Sequence, residues 1–221
     1  DGKRLMELGT KGKPSDTGAT TMGAYWQVQR AAGPFNEPTH AVEAPWGDIY
    51  VADGYRNVRI HVFSPDGKLK FSWGERGEGP GQFQSPHNLL IDEKGNIFVA
   101  EMENLRIQIF TRDGKFIDQW NGIDRPSGMC RDKHGNFFTP ELGVCPGNLR
   151  WKGRDYGRQL CKTPRVHILD SKGETLGYLG GPADVTLSED EMCAPGKFRT
   201  PHGIFVDNDD NLYITETIGT T

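Results

Sequence analysis

Two histidines of this sequence follow a proline in similar settings, S-P-H at residues 85–87 and T-P-H at residues 200–202. Proline fixes the backbone φ angle before each histidine, so His87 and His202 are expected to start their segments in the same pose. Neutral imidazoles on rigid strands are good zinc ligands, and a catalytic zinc keeps one coordination position open for water or substrate. The pattern therefore predicts a zinc site, provided that the fold brings both rings together.

Both histidines belong to a motif that occurs four times along the chain. In each copy the same spacing separates an anchoring proline from a turn, and a strand of alternating branched and aromatic residues follows. Hairpins with Asp-Gly or Lys-Gly turns come next in three of the copies. Four antiparallel strands that recur at intervals of roughly 40 to 50 residues are typical of β-propeller blades. The anchoring prolines are Pro38, Pro86, Pro126 and Pro201.

The predicted fold is all-β, with one propeller domain over residues 1–221 that is built from four-stranded antiparallel blades. The propeller is expected to have six blades when complete, and this chain to cover part of the ring. The predicted segments are the end of a preceding blade with a connector (1–34), three blades (35–74, 83–120 and 125–180, the last with an insertion at 143–163) and the start of a further blade (198–221).

The composition sets limits on the function. At 221 residues, 35% hydrophobic and 25% charged, the chain can form a globular core. Its formal net charge of −4 argues against a general electrostatic grip on nucleic acid, so nucleic acid is an unlikely partner. No apolar run approaches the roughly 20 residues that a membrane-spanning helix needs. A small molecule, a peptide or another protein is the expected partner.

The residue after each anchoring proline lies at the start of an innermost strand, and these strands line the central channel of a propeller. We call this position the channel column, and its members are expected to meet near one mouth of the channel. They are Thr39, His87, Ser127 and His202. The alternative for each histidine is a polar cap whose ring nitrogens bond to the backbone.

A second set, the carboxylate column, ends the strand that follows each turn. Carboxylates in this position either hold a hard cation such as calcium or accept hydrogen bonds from turn amides. Its members are Asp53, Glu101, Glu141 and Glu216.

Four segments resemble the peptidyl-α-hydroxyglycine α-amidating lyases and their bacterial relatives, which are NHL-repeat propellers. The resemblance implies a metal-dependent lyase in which three channel histidines hold zinc. His87 and His202 match two of them, and the third would come from another blade. It also implies that Tyr55 acts as general base and that a structural calcium lies in the channel. The segments are ADGYRNVRI (52–60), SPHNLLI (85–91), AEMENLRIQIF (100–110) and TPHGIFVDNDDNLYI (200–214).

Two positions depart from the family pattern. Met102 stands where the lyases have an arginine, and Gly203 where they have an aspartate. These departures bear on the substrate more than on the metal, so another small substrate is a further option. The rival interpretation is a non-catalytic propeller that binds a protein, glycan or RNA through its top face.

The remaining histidines and a basic segment are interpreted as structural. His40, His61, His134 and His167 are expected to serve the fold. In the insertion, basic residues alternate with Trp151 and Tyr156, which suits either an anionic ligand or, as we favour, a solvated face. The basic residues are Arg150, Lys152, Arg154, Arg158, Lys162 and Arg165.

Four cysteines remain, none with the spacing of a zinc knuckle or a redox pair. Cys145 and Cys161 flank the insertion, and a disulfide between them would tie this loop. Cys130 and Cys193 would then be either paired or free. A disulfide implies an oxidising compartment, so an extracellular or periplasmic location is predicted.

Overall fold

The computed structural model describes residues 2–21, 27–143, 163–181 and 194–217. The predicted Cys145–Cys161 disulfide, Cys193 and most of the basic insertion lie outside these residues. The chain divides into two compact units, one formed by Asp1–Asn104 with Gln108–Gln119 and the other by Leu105–Ile107 with Trp120–Thr221. None of the described ranges contains a helix with the length and apolar character of a membrane span.

The strands form three four-stranded sheets and two smaller two-stranded ones. In the first sheet, the order along the chain is β1 (His40–Glu43), β2 (Ile49–Asp53), β3 (Arg59–Phe63) and β4 (Leu69–Trp73). A short parallel pair follows, β5 (Glu75–Arg76) and β6 (Gln82–Phe83). The second sheet contains β7 (Pro86–Ile91), β8 (Ile97–Glu101), β9 (Arg106–Phe110) and β10 (Phe116–Asn121).

The third sheet contains β11 (Cys130–Arg131), β12 (Phe137–Glu141), β13 (Arg165–Leu169) and β14 (Thr175–Leu179). A final antiparallel pair is formed by β15 (Pro201–Val206) and β16 (Leu212–Glu216). Within each four-stranded sheet, strands that are consecutive in the chain are neighbours. The prediction of an all-β fold built from four-stranded antiparallel sheets is confirmed.

The central strands form because their sequences suit a sheet that is covered on both faces. In β8, all five residues of I-F-V-A-E are buried, and β9 is equally buried. The outer strand β10 is mostly exposed, including its apolar residues Phe116 and Ile117. Burial is therefore greatest in the second and third strands of a sheet, which hold the start of the innermost strand in place.

A repeated contact supports successive sheets within each unit. The glycine of a hairpin turn packs on the tryptophan at the end of the preceding sheet, so that an added Cβ at Gly114 would lie 3.0 Å from Trp73. The same contact joins Gly173 to Trp120, at 2.4 Å. Each of these glycines also has a positive φ angle, which residues with a side chain rarely adopt.

A backbone kink marks the start of three innermost strands. The residue before the anchoring proline has a positive φ angle in each case: 64° at Glu37, 61° at Ser85 and 47° at Arg125. Left-handed geometry is uncommon outside glycine. The carbonyls of Glu37 and Ser85 accept hydrogen bonds from the backbone N–H groups of Tyr55 (3.3 Å) and Met102 (3.2 Å). The kink thus ties the start of an innermost strand to the loop that follows the second strand.

Candidate functional site

His87 and His202 each lie in a β-bulge. Pro86 pairs with Glu101 and Asn88 with Ala100, so His87 has no partner in the ladder between them. In the other unit the pairing passes from Pro201 opposite Glu216 to Gly203 opposite Thr215, and His202 is left out in the same way. A bulge redirects the side chain of the extra residue, and bulges are common beside active sites.

The structure brings Tyr55 and His87 into direct contact. Tyr55 Oη lies 2.9 Å from His87 Nε2, and the two rings meet edge to face with their centroids 5.4 Å apart. With the phenol as donor, Nε2 is the acceptor and the ring proton of His87 lies on Nδ1. His87 is only 4% exposed. The sequence singled out both residues for separate roles, and their contact is a finding of the structure.

An extra glycine places Tyr55 in this contact. The backbone N–H of Tyr55 bonds to Glu37 and that of Met102 to Ser85, so the two residues occupy equivalent positions in their loops. Met102 directly follows its carboxylate, whereas Gly54 stands between Asp53 and Tyr55. A Cβ on Gly54 would lie 2.0 Å from the carbonyl oxygen of Pro86, so only glycine permits this approach. The sequence contains a signal for this contact, because the loop after Asp53 is one residue longer than the loop after Glu101. The spacing between proline and turn does not reveal it.

The surroundings of His202 differ from those of His87. The ring is half-buried, and desolvation lowers the pKa of its imidazole, which favours the neutral form that a metal requires. Ser127 Oγ donates a hydrogen bond to the His202 carbonyl oxygen at 3.0 Å. At Gly203, an added Cβ would lie 2.5 Å from Thr215 Oγ1. Thr215 therefore fills the space in which the family aspartate would begin.

The carboxylate column anchors the loop before each innermost strand. Asp53 accepts the N–H of Asn36 at 2.9 Å, Glu101 that of Gln84 at 3.1 Å, and Glu141 that of Asp124 at 3.0 Å. Each donor lies two residues before its anchoring proline. Glu216, which is exposed, accepts the N–H groups of Arg199 and Thr200. These bonds give the column a structural role as the support of the channel column.

Buried side chains extend this support to the outer strands. His61 Nε2 lies 3.3 Å from Asp53 Oδ2, and its Nδ1 lies 2.7 Å from Ser72 Oγ. His167 joins Glu141 to Thr175 in the same way, at 2.8 Å on both sides. Both rings therefore connect the second strand of a sheet to its outer strand, which agrees with the structural role predicted for them.

The other two histidines that were interpreted as structural lie elsewhere. His40 Nδ1 accepts the backbone N–H of Leu89 at 3.3 Å and so joins β1 to β7. His134 lies in a turn, with Nε2 3.6 Å from Asp210 Oδ2. Cys130 is buried and free among the described residues, and burial raises the pKa of its thiol to about 12.

The interpretation of Arg165 as part of a solvated basic face is wrong. It is the first residue of β13 and is 1% exposed. Its Nε lies 2.5 Å from Glu141 Oε2, and its guanidinium stacks on the ring of Tyr178 at 3.7 Å. A buried guanidinium needs a charged partner, which Glu141 supplies. Arg165 thus belongs to the core of its sheet.

The donor set suits zinc in kind but not in number. His87 presents an imidazole nitrogen, which zinc binds, and zinc sites need three or four protein ligands. Within the part of the chain that the structure describes, no group of three or more His, Cys, Asp or Glu residues is arranged to hold a metal ion. A zinc site would therefore need a ligand from outside these residues.

A cleft of about 420 Å³ lies at the opposite end of the strands from Tyr55 and His87. It is lined by hairpin turns, including Trp46, Lys94 and Arg112. The cleft is therefore separate from the candidate site.

Comparison with known proteins identifies the repeat. Residues 38–121 match a family model described as a six-bladed β-propeller. Human NHL repeat-containing protein 3 is 37% identical over 48% of this chain and 30% of its own length. The chain is therefore a β-propeller whose repeats are similar to those of NHL proteins. The predicted fold class and the recognised repeat are both confirmed.

This propeller is also similar to amidating enzymes. Peptidyl-glycine alpha-amidating monooxygenase B from Xenopus laevis is 39% identical over 95% of the chain and 22% of its own length. Peptidyl-alpha-hydroxyglycine alpha-amidating lyase 1 from Drosophila melanogaster is 34% identical over 94% of the chain and 37% of its own length. The propeller thus spans about a fifth of the first relative and little more than a third of the second.

Proposed function

We propose that this propeller is a lyase that cleaves a carbon–nitrogen bond in a substrate of the α-hydroxyglycine type, with zinc as cofactor. Tyr55 would serve as base, and His87 and His202 as zinc ligands. The observation that carries the proposal is the 2.9 Å contact between Tyr55 Oη and His87 Nε2. It joins two residues that the resemblance assigned to one reaction. The names of the amidating relatives support the substrate class.

The reaction needs one base and one proton donor. In an α-hydroxyglycine unit, the carbon that carries the hydroxyl group is bonded to the amide nitrogen. Tyr55, once ionised, would take the hydroxyl proton. The carbon–oxygen bond then becomes a carbonyl, the carbon–nitrogen bond breaks, and the nitrogen leaves with its electron pair and takes up a proton. The products are a peptide amide and a two-carbon aldehyde acid, so atoms and charges balance.

His87 Nε2 would serve either the metal or the base. This nitrogen has a single lone pair, which either accepts the Tyr55 hydroxyl or binds a metal, but not both. Metal binding at Nε2 would therefore release the phenol from the hydrogen bond. When bound, zinc would supply positive charge that favours the ionised form of a nearby phenol. His87 is 4% exposed, so the surrounding residues restrict the movement of its ring.

Zinc content and rate together test this function in the full-length protein. We expect His87→Ala to lose bound zinc and lyase activity, because an imidazole ligand is removed. Tyr55→Phe keeps the ring and removes only the hydroxyl, so it should retain zinc and lower the rate by about 10²–10⁴-fold. The measurements are metal analysis of the purified protein and turnover of a peptidyl-α-hydroxyglycine.

His61→Gln is the matched control, because Gln108 shows that a glutamine at this place in a sheet can donate to the carboxylate column. It should retain both zinc and rate. Zinc that is retained in His87→Ala, or an unchanged rate in Tyr55→Phe, would contradict the lyase proposal. Such a result would favour the propeller as a binding scaffold for a protein, glycan or RNA. Calcium binding and export stay predictions, which metal analysis and localisation of the full-length protein can check.

A further inference from the structure

The two channel-column residues that are not histidines make contacts that explain how the histidines are held. Thr39 and Ser127 each follow an anchoring proline, as His87 and His202 do. Neither hydroxyl is a typical zinc ligand, and the sequence pattern predicts no role for these two residues beyond their place in the channel column. Each hydroxyl lies within hydrogen-bond distance of a carbonyl oxygen of its own sheet and of the proline carbonyl oxygen in the next innermost strand.

In the first unit, Thr39 joins its own sheet to the next. Its backbone N–H donates to the carbonyl of Ala52 at 2.8 Å. Its hydroxyl oxygen lies 3.2 Å from the Ala52 carbonyl oxygen and 3.0 Å from that of Pro86. Thr39 therefore holds the peptide group that joins Pro86 to His87.

In the second unit, Ser127 repeats this arrangement. Its backbone N–H donates to Pro140 at 3.1 Å, as that of Thr39 does to Ala52. Its hydroxyl lies 3.3 Å from the carbonyl oxygen of Pro201 and 3.0 Å from that of His202. Each hydroxyl thus reaches the Pro-His pair of the next innermost strand.

We infer that Thr39 and Ser127 are positioning residues whose hydroxyls fix the direction of the His87 and His202 imidazoles. A bulged residue has no ladder partner, so the sheet by itself does not fix its peptide. The peptide between Pro86 and His87 has two polar groups, the Pro86 carbonyl oxygen and the His87 N–H, and the Thr39 hydroxyl reaches the carbonyl oxygen. The hydroxyl of the preceding blade supplies the donor.

A second observation points to the same carbonyl. Gly54, which precedes Tyr55, packs against the Pro86 carbonyl oxygen, so closely that a Cβ would lie 2.0 Å away. The Pro86 carbonyl therefore sets the separation between Tyr55 and His87 from both sides. The inference rests on the proposed function only where it takes the two imidazoles to be zinc ligands. Their orientation can be tested without metal or substrate.

The test is NMR on the metal-free full-length protein, with ¹⁵N-labelled histidine, at one pH at which both rings are neutral. In Thr39→Val, the His87 Nε2 resonance should move downfield, toward the position of a nitrogen that accepts no hydrogen bond. His202 should stay unchanged. Thr39→Ser, which keeps the hydroxyl, should give the wild-type spectrum.

Ser127→Ala tests the same role in the second unit and should move the His202 resonances while those of His87 stay unchanged. This variant can be measured even if Thr39→Val fails to fold. Unchanged His87 resonances in folded Thr39→Val, or unchanged His202 resonances in Ser127→Ala, would overturn the inference. If the shifts appear but His87→Ala retains zinc, the positioning role stands and the proposed lyase function fails.

Discussion

Replacing Glu141 with alanine is expected to lower the free energy of unfolding by about 3 kcal/mol, because it removes the closer of the two carboxylates that face the buried Arg165 guanidinium. Glu141 is 1% exposed, and one carboxylate serves three donors. They are Arg165 Nε at 2.5 Å, His167 Nδ1 at 2.8 Å and the Asp124 N–H at 3.0 Å. Asp124 stays in the variant as a longer ion-pair partner, with Oδ2 3.5 Å from Arg165 Nη2, so part of the charge compensation is retained. Urea denaturation of the purified variant measures the loss.

Glu216→Ala is the matched control for this prediction. Glu216 holds the same place in its strand and accepts two backbone N–H groups, but it is exposed and has no guanidinium partner in the part of the chain that the structure describes. Its replacement should cost much less than that of Glu141. Equal losses for the two variants would show that the buried ion pair is not the main contribution.

Gly54→Ala is expected to displace Tyr55 from His87 and to reduce the proposed lyase activity strongly. The added Cβ would meet the Pro86 carbonyl oxygen at 2.0 Å, its carbon at 2.9 Å and Thr39 Cγ2 at 3.2 Å. Two of these atoms are backbone, so the loop itself must move. Overpacking of this kind costs about 1–3 kcal/mol. The measurements are urea denaturation, turnover and the His87 Nε2 resonance, which should lose the effect of the Tyr55 hydrogen bond.

Gly33→Ala controls for the general effect of a methyl group in the same unit. An added Cβ at Gly33 has no atom within 4 Å, and its φ angle is not in the left-handed range. Stability, turnover and the His87 resonance should all stay near wild type. If Gly54→Ala behaves like Gly33→Ala, close backbone approach is not what places Tyr55.

The repeat explains how much of the fold the sequence could predict. Alternating residues such as I-Y-V-A-D and the glycine-containing turns predict strands and hairpins from local chemistry, and the structure has them. The bulges at His87 and His202 were not predicted, because proline and turn keep the same spacing in every copy. A change of ladder partner leaves no trace in that spacing.

The site was predicted only in part. His87 and Tyr55 were found separately, whereas their contact depends on a sheet-to-sheet approach at Gly54 that no local pattern encodes. Arg165 was misassigned because it follows a loop rich in basic residues. A signal was present: β3, β9 and β13 all begin with arginine, in R-I-H-V-F, R-I-Q-I-F and R-V-H-I-L. That repeat places Arg165 in a strand and not in the loop.

The bulge at the start of the innermost strand places a candidate functional residue outside the ladder that sets the strand register. Beyond it, pairing resumes with Asn88 opposite Ala100 and with Gly203 opposite Thr215, so the bulged residue takes no part in the ladder. After duplication of an ancestral blade, this position could accept a new residue without disturbing the strand register. A lineage of such propellers can thus gain a ligand in one copy and a hydroxyl in another through single codon changes. New activities can arise in this way while the ring of blades stays as it was.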